Sequence, residues 1–231
     1  MKKSYVCLLG VLATGALTEA RAATTIADWT FQTSAPITAG PFNPEVGSGS
    51  ASVSHAGSTA VSSPAGNGSS HSFSSTDWAI GDFYQVEVST IGFQGVTLTF
   101  DQTSSSTGPA NFQLEYSTDG TSFTSFGSAY TVQPNQNPPN PVWNATTSSL
   151  IYTSTVDLSS ISALNDTSTV FLRFADSSTA AAGTAGGVVA TSGTDRMDNI
   201  IVSASPVPEP TTLTLLAVGG VGALFAARRR K

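Results

Sequence analysis

Asn111-Phe112-Gln113-Leu114-Glu115-Tyr116-Ser117-Thr118-Asp119-Gly120-Thr121-Ser122-Phe123 is the stretch on which the fold turns. Phe112, Leu114 and Tyr116 alternate with Gln113 and Glu115, so one face is apolar and the other polar. That period of two belongs to a half-buried strand. Asp119-Gly120 then marks a tight hairpin, because glycine accepts the positive φ such turns need. Phe123 and Phe126 fall on the return strand. The same alternation appears in Ala27-Asp28-Trp29-Thr30-Phe31, in Phe83–Val88 with Tyr84, Val86 and Val88 on one face, and in Val96, Leu98 and Phe100. Ile151–Val156, Val170–Phe174 and Met197–Val202 supply further strands. Eight or nine short strands separated by Gly, Ser and Asn clusters predict an all-β chain: an antiparallel β-sandwich of jelly-roll type. Pro36–Ser70 and Gln133–Pro141 read as long loops. The one helical hint is Asp157–Leu164, where Asp157 is placed to cap a single turn.

Composition narrows what such a domain does. Only 10% of the 231 residues are charged, below the roughly 25% of ordinary globular proteins. Between Ala23 and Val207 the bases are Arg173 and Arg196 against thirteen acids, a formal charge of −11. Such a domain repels phosphates, which excludes nucleic acid as a partner. The single cysteine, Cys7, lies near the N-terminus. The domain therefore has no thiol for a disulfide framework, a thiolate metal site or a cysteine nucleophile.

The two ends carry the remaining charge. Lys2 and Lys3 precede an apolar run from Val6 to Leu17, followed by Ala20-Arg21-Ala22. Positive start, apolar core and small-x-small ending predict a signal peptide over 1–22, read by the export machinery and cut by signal peptidase after Ala22, with Ala20 and Ala22 as the small residues. The passenger domain is expected over 23–205. At the other end, 206–231 is again tripartite. Pro206-Val207-Pro208-Glu209-Pro210 cannot join a regular helix or a central strand. Residues 211–227 are free of charge and sit at the short limit for a transmembrane helix. Arg228, Arg229, Arg230 and Lys231 form a basic stop that stays cytoplasmic.

Val207-Pro208-Glu209-Pro210, the apolar segment and the terminal basic cluster together resemble the PEP-CTERM sorting domain of Gram-negative bacteria. The resemblance covers about 25 residues. It implies recognition near Pro208-Glu209-Pro210 by an exosortase-like membrane protease, transient anchoring in the membrane through 211–227, and release to the cell envelope or outside, in organisms that make extracellular polysaccharide. Gly66–Gly127 resembles the passenger domains found ahead of such signals, and Thr194–Val202 resembles the last strand of carbohydrate-binding jelly rolls.

Reactive groups are sparse. His55 and His71 lie in Ser- and Gly-rich stretches and read as exposed loop residues. Asp82, Glu87, Asp101, Glu115, Asp195 and Asp198 are the carboxylates from which a glycosidase pair would be drawn, although Glu87 and Glu115 lie on solvated strand faces. Asp195, Asp198 and Asn199 are candidate ligands for a structural calcium ion, which prefers hard oxygen donors; a local ion pair to Arg196 and strand-end hydrogen bonds compete with that reading. Trp143, after the Pro-rich loop, and Trp78 are the candidates for stacking on a sugar ring, against packing in the core; Trp29 belongs to the core. The leading expectation is a non-enzymatic structural or adhesive protein of the cell surface or extracellular matrix. The alternatives are an exopolysaccharide-binding module and a polysaccharide-processing enzyme.

Overall fold

A computed structural model describes residues 22–135, 139–183 and 186–207. The expected signal peptide up to Arg21, together with Pro208-Glu209-Pro210, the apolar segment 211–227 and the basic tail, therefore lies outside the described residues. Twelve strands follow one another: β1 (Thr24–Trp29), β2 (Val46–Gly47), β3 (Gly49–Ser54), β4 (Val61–Ser62), β5 (Phe73–Thr76), β6 (Phe83–Val88), β7 (Phe93–Ser104), β8 (Asn111–Ser117), β9 (Thr124–Thr131), β10 (Thr153–Asp157), β11 (Val170–Asp176) and β12 (Thr194–Pro206).

They form two antiparallel sheets. One is ordered β10-β7-β12-β1-β2, with β5 also pairing β12 and β4 pairing β5; the other is ordered β3-β6-β11-β8-β9. From β7 onward the chain crosses repeatedly: β8 and β9 lie in the second sheet, β10 in the first, β11 in the second and β12 in the first. Those crossings give the jelly-roll sandwich that the alternation predicts.

The strand pattern explains the sandwich. In β6 the odd positions are half-exposed while Tyr84, Val86 and Val88 are buried. Val96, Leu98 and Phe100 of β7 meet Leu172 and Phe174 of β11 and Leu114 of β8 in one core cluster. Phe100 and Phe174 pack edge-on at 4.7 Å across the two sheets. Each such side chain contributes about 1.5–3 kcal/mol when fully buried. In β12 the alternation would turn Asn199 inward. A bulge between Asp198 and Ile201, with Asn199 at φ +46, resets it, so Ile200, Val202 and Ala204 face the core.

Three sequence expectations change. Pro36–Ser70 is not one loop: β3 lies within it as a full edge strand, buried through Ala51 and Val53. The Asp119-Gly120 hairpin is wider than a two-residue turn, because β8 ends at Ser117 and β9 begins at Thr124. Its tip is held by Asp119 Oδ1, which accepts from the Thr121 and Ser122 amides at 2.8 and 2.7 Å. The helical hint at Asp157–Leu164 is narrower than it reads: Asp157 Oδ1 does accept from the Ser159 amide at 2.8 Å, but the helical turn is a 3-10 turn over Ser162–Leu164, which buries Leu164.

Candidate functional site

The outer face of the five-stranded sheet carries a continuous row of ligand-type side chains. Strand registers align Ser52 with Gln85, Gln85 with Arg173, Arg173 with Glu115, and Glu115 with Ser125. One polar row thus crosses all five strands, with Ser52, Gln85, Arg173 and Glu115 half-exposed and Ser125 exposed. Beside it, Phe171 pairs with Glu87 and Ser117, and Phe83 pairs with Ala175 and Ser54. The Arg173 guanidinium lies 3.9 Å from the Phe83 ring centre and 3.3 Å from that of Phe123. Its Nε donates to Gln85 Oε1 at 2.7 Å. Desolvation lowers the Arg173 pKa from its ordinary value while Glu115 opposes that shift; the group stays cationic. Phe123 meets Phe171 edge-on at 6.4 Å. Gly120, at φ +72, lets the hairpin tip lie against the Phe171 ring, since a Cβ there would approach it to 3.0 Å. The face is therefore a half-buried aromatic floor with amide, carboxylate and guanidinium groups fixed on it. Sequence alternation pointed to Glu87 and Glu115 as solvated positions; it could not show that Arg173 and Gln85 join Glu115 in one row.

A second polar cluster closes one end of the sandwich. His55, expected on an exposed loop, has a buried side chain: Nδ1 lies 3.0 Å from Asp82 Oδ2, and Nε2 lies 3.1 Å from Ser75 Oγ. The spacing is that of a nucleophile, a base and an orienting carboxylate. Ser75, however, is 0% exposed and its Oγ also bonds the Tyr84 hydroxyl at 3.3 Å. Asp82 accepts from the Ala56 and Ala79 amides at 2.7 Å each. These groups tie β5 to the segment before β6. His71 has a weaker tie, Nδ1 lying 3.4 Å from the Ser63 carbonyl.

The proposed calcium residues are arranged differently from their order in sequence. Asp195 is buried and accepts from Gln102 Nε2 at 3.0 Å and Ser104 Oγ at 2.8 Å. Burial pushes its carboxyl well above the usual range. Asp198 lies in a separate cluster: its Oδ2 accepts from the Asn67 amide at 2.7 Å and Ser69 Oγ at 2.6 Å. Asn199 turns its amide nitrogen to Asp101 Oδ2 at 2.8 Å and to Asp198 Oδ2 at 3.2 Å. Asp101, one of the carboxylates from which a glycosidase pair would be drawn, lies inside β7, buried, and is held also by Asn67 Nδ2 at 2.9 Å. Among the described residues no three His, Cys, Asp or Glu side chains converge in metal-binding fashion.

The tryptophans are structural in their placement. Trp29 is 0% exposed, Trp78 5% and Trp143 3%. Trp143, read in the sequence as a stacking candidate against packing, packs: it donates its ring N–H to the Ala65 carbonyl at 2.7 Å and lies edge-on to Tyr152. It pins the loop ahead of β10 onto the loop ahead of β5.

β12 ends at Pro206, and the Val207 amide bonds the Gly92 carbonyl at 2.8 Å. From that strand end onward, residues 206–231 match the PEP-CTERM protein-sorting motif. The chain carries a PEP-CTERM sorting motif. The PEP-CTERM motif marks it as an exported, membrane-transiting protein of the kind an exosortase processes. No curated protein matches the chain. The PEP-CTERM passenger domain is similar to several solved structures. One is the K1 cleaved adhesin domain of Lys-gingipain from Porphyromonas gingivalis W83, at 12% identity over 79% of this chain and 99% of that one, TM-score 0.45. Another is TmCBM61, solved in complex with β-1,4-galactotriose, at 8% identity over 67% and 88%, TM-score 0.39. A third is the family 11 carbohydrate-binding module from Clostridium thermocellum, solved with a mixed-linked tetrasaccharide, at 13% identity over 69% and 89%, TM-score 0.35.

Proposed function

We propose that the exported domain is a non-catalytic module that binds an extracellular polysaccharide across the outer face of its five-stranded sheet. The observation that carries this reading is the row Ser52–Gln85–Arg173–Glu115–Ser125 beside Phe83, Phe123 and Phe171. A sugar has an apolar C–H face and a rim of hydroxyls. It is recognised by apolar and aromatic side chains together with a few placed polar groups. Fixing Arg173 and Gln85 against each other in advance lowers the ordering cost of binding. The formal charge of −11 over Ala23–Val207 favours a neutral polymer over a polyanion. Export would proceed through signal-peptide cleavage after Ala22 and exosortase-like processing near Pro208-Glu209-Pro210.

A second reading, a purely structural or adhesive surface domain, is favoured by the same clamp: Arg173 between two rings also ties the β8–β9 turn to β11 and β6. Affinity electrophoresis separates the two. The full chain, purified in detergent, should be retarded in gels containing neutral polysaccharide from the producing cells. Replacing Glu115 and Gln85 by Ala should abolish the retardation. A wild-type chain that migrates unchanged would leave the structural reading standing.

A further inference from the structure

The sheet face is not the only place where this domain meets solvent with unspent chemistry. At the end of the sandwich where β12 begins, the loops after β5, β11 and Val188 enclose a cleft of about 490 Å³. Trp78, Ile80, Asp176, Ser178, Thr179 and Val188 line it. That volume lies within the range of small-ligand sites. Ile80 and Val188 at its rim are 61% and 70% exposed, an apolar edge with nothing packed on it among the described residues.

Asp176 gives the cleft its chemistry. It is 2% exposed. One carboxylate oxygen accepts from the Ser178 amide at 3.2 Å, while Oδ2 is buried without a hydrogen-bond partner. A buried, unpartnered carboxylate oxygen is costly. Its neighbours add to the cost. The Asp176 amide bonds the Asp82 carbonyl at 2.8 Å, and the Asp82 charge raises the Asp176 pKa beyond the effect of burial. Asp82 itself is already engaged by two amides and His55. A group that brings both donors and positive charge suits Asp176 best, since it satisfies the bare oxygen and offsets the carboxylate charge. A primary ammonium brings three N–H donors and one charge; a sugar hydroxyl brings a single donor and none. The apolar rim and the Trp78 edge suit the C–H face of a small ring.

We propose that this cleft binds a sugar residue bearing a free amine, with the ammonium on Asp176 and the ring against Ile80 and Val188. The site is separate from the sheet face. It also lies at the far end from the chain's exit: Thr194, the first residue of β12, pairs with Thr76, whereas Val207 follows its last residue. Thirteen residues of strand put roughly 40 Å between the two ends. A hexosamine unit would be gripped end-on, away from the sorting motif's point of attachment.

The test is an equilibrium titration of the full chain in detergent at pH 6.5, where amino-sugar amines keep much of their charge and Asp176, at about 6, is largely ionised. The probes are a β-1,4-linked glucosamine tetramer and its fully N-acetylated counterpart. Saturable binding of the free amine, at least tenfold tighter than of the acetylated tetramer, is expected. Asp176→Asn should remove that preference. Val188→Arg, which places a cation at an exposed rim position without disturbing the core, should weaken the free-amine tetramer tenfold or more even if the Asp176 variant fails to fold. Equal binding of both tetramers, or a Val188→Arg chain that titrates as wild type, overturns the proposal. Either result leaves the sheet-face reading standing, and a chain that prefers the amine but is not retarded by neutral polysaccharide overturns the sheet-face reading alone.

Discussion

At the scale of single residues, buried carboxylates set how this domain responds to pH. Burial lifts Asp176 to about 6 and Asp198 to about 7, and raises Asp195 well above its ordinary value as well. Unfolded aspartates titrate near 3.9. A group whose folded pKa is raised holds its proton longer in the native state. Its stabilising contribution is full below the unfolded value and is lost as pH rises through the folded one. Asp119 has the opposite sign: amides of its own turn hold its carboxyl below the usual range, so its contribution is present above about 4 and is lost on acidification. Thermal unfolding should therefore show greatest stability at about pH 4–5 and a falling Tm from pH 5 to pH 8. Asp176→Asn should remove part of that fall. A Tm that rises steadily from pH 5 to pH 8 would contradict the assignment.

Gly120 is the second residue-scale test. Ala there meets both φ +72 and a Phe171 ring atom at 3.0 Å, so Gly120→Ala should cost about 1–3 kcal/mol in denaturant unfolding.

Elements show what the sequence could and could not disclose. Strands β6, β7, β8 and β11 were legible because each carries three large apolar residues at period two, and β12 by the apolar residues of its Met197–Val202 stretch. β3 was not: in Gly49-Ser50-Ala51-Ser52-Val53-Ser54 the inward positions are only Ala51 and Val53, and small residues carry little periodic signal. The Trp143 segment left packing and an exposed ring both open. A Pro-rich approach carries no periodic signal, and the partner that decides for packing, the Ala65 carbonyl, lies 78 residues away in sequence. Trp143→Ala should consequently cost about 3–5 kcal/mol, the penalty of a core residue, and denaturant titration would show it; a loss under 1 kcal/mol would mean the loop stands free. Asn199 was likewise invisible as a bulge residue. Asn199→Val should destabilise by about 1–3 kcal/mol through its positive φ, besides stripping a donor from Asp101.

For the whole molecule, the fold was more legible than the site. Alternation is local, so a sandwich of two sheets follows from short windows of sequence. The polar clusters are not local: Asn67 meets Asp198 across 131 positions, and Gln102 meets Asp195 across 93. The row on the outer face depends on the register of four strand pairs, which no spacing in the chain reveals. The address was legible at once, because 206–231 is contiguous. Intact-mass measurement of the exported protein is expected to give a chain beginning at Ala23 and ending near Pro208-Glu209-Pro210; an extracellular form still ending in Lys231 would contradict that processing.

The central claim is that a polysaccharide lies on the five-stranded sheet. Hydroxyl-radical footprinting of the full chain, with and without saturating neutral polysaccharide, reads side-chain exposure directly. The half-exposed rings of Phe83, Phe123 and Phe171 should become several-fold less reactive, while Leu150 and Ile151, exposed in the segment leading into β10, should not change. Unaltered oxidation of those three rings, with protection of Leu150, Ile151 or no residue at all, would contradict the account.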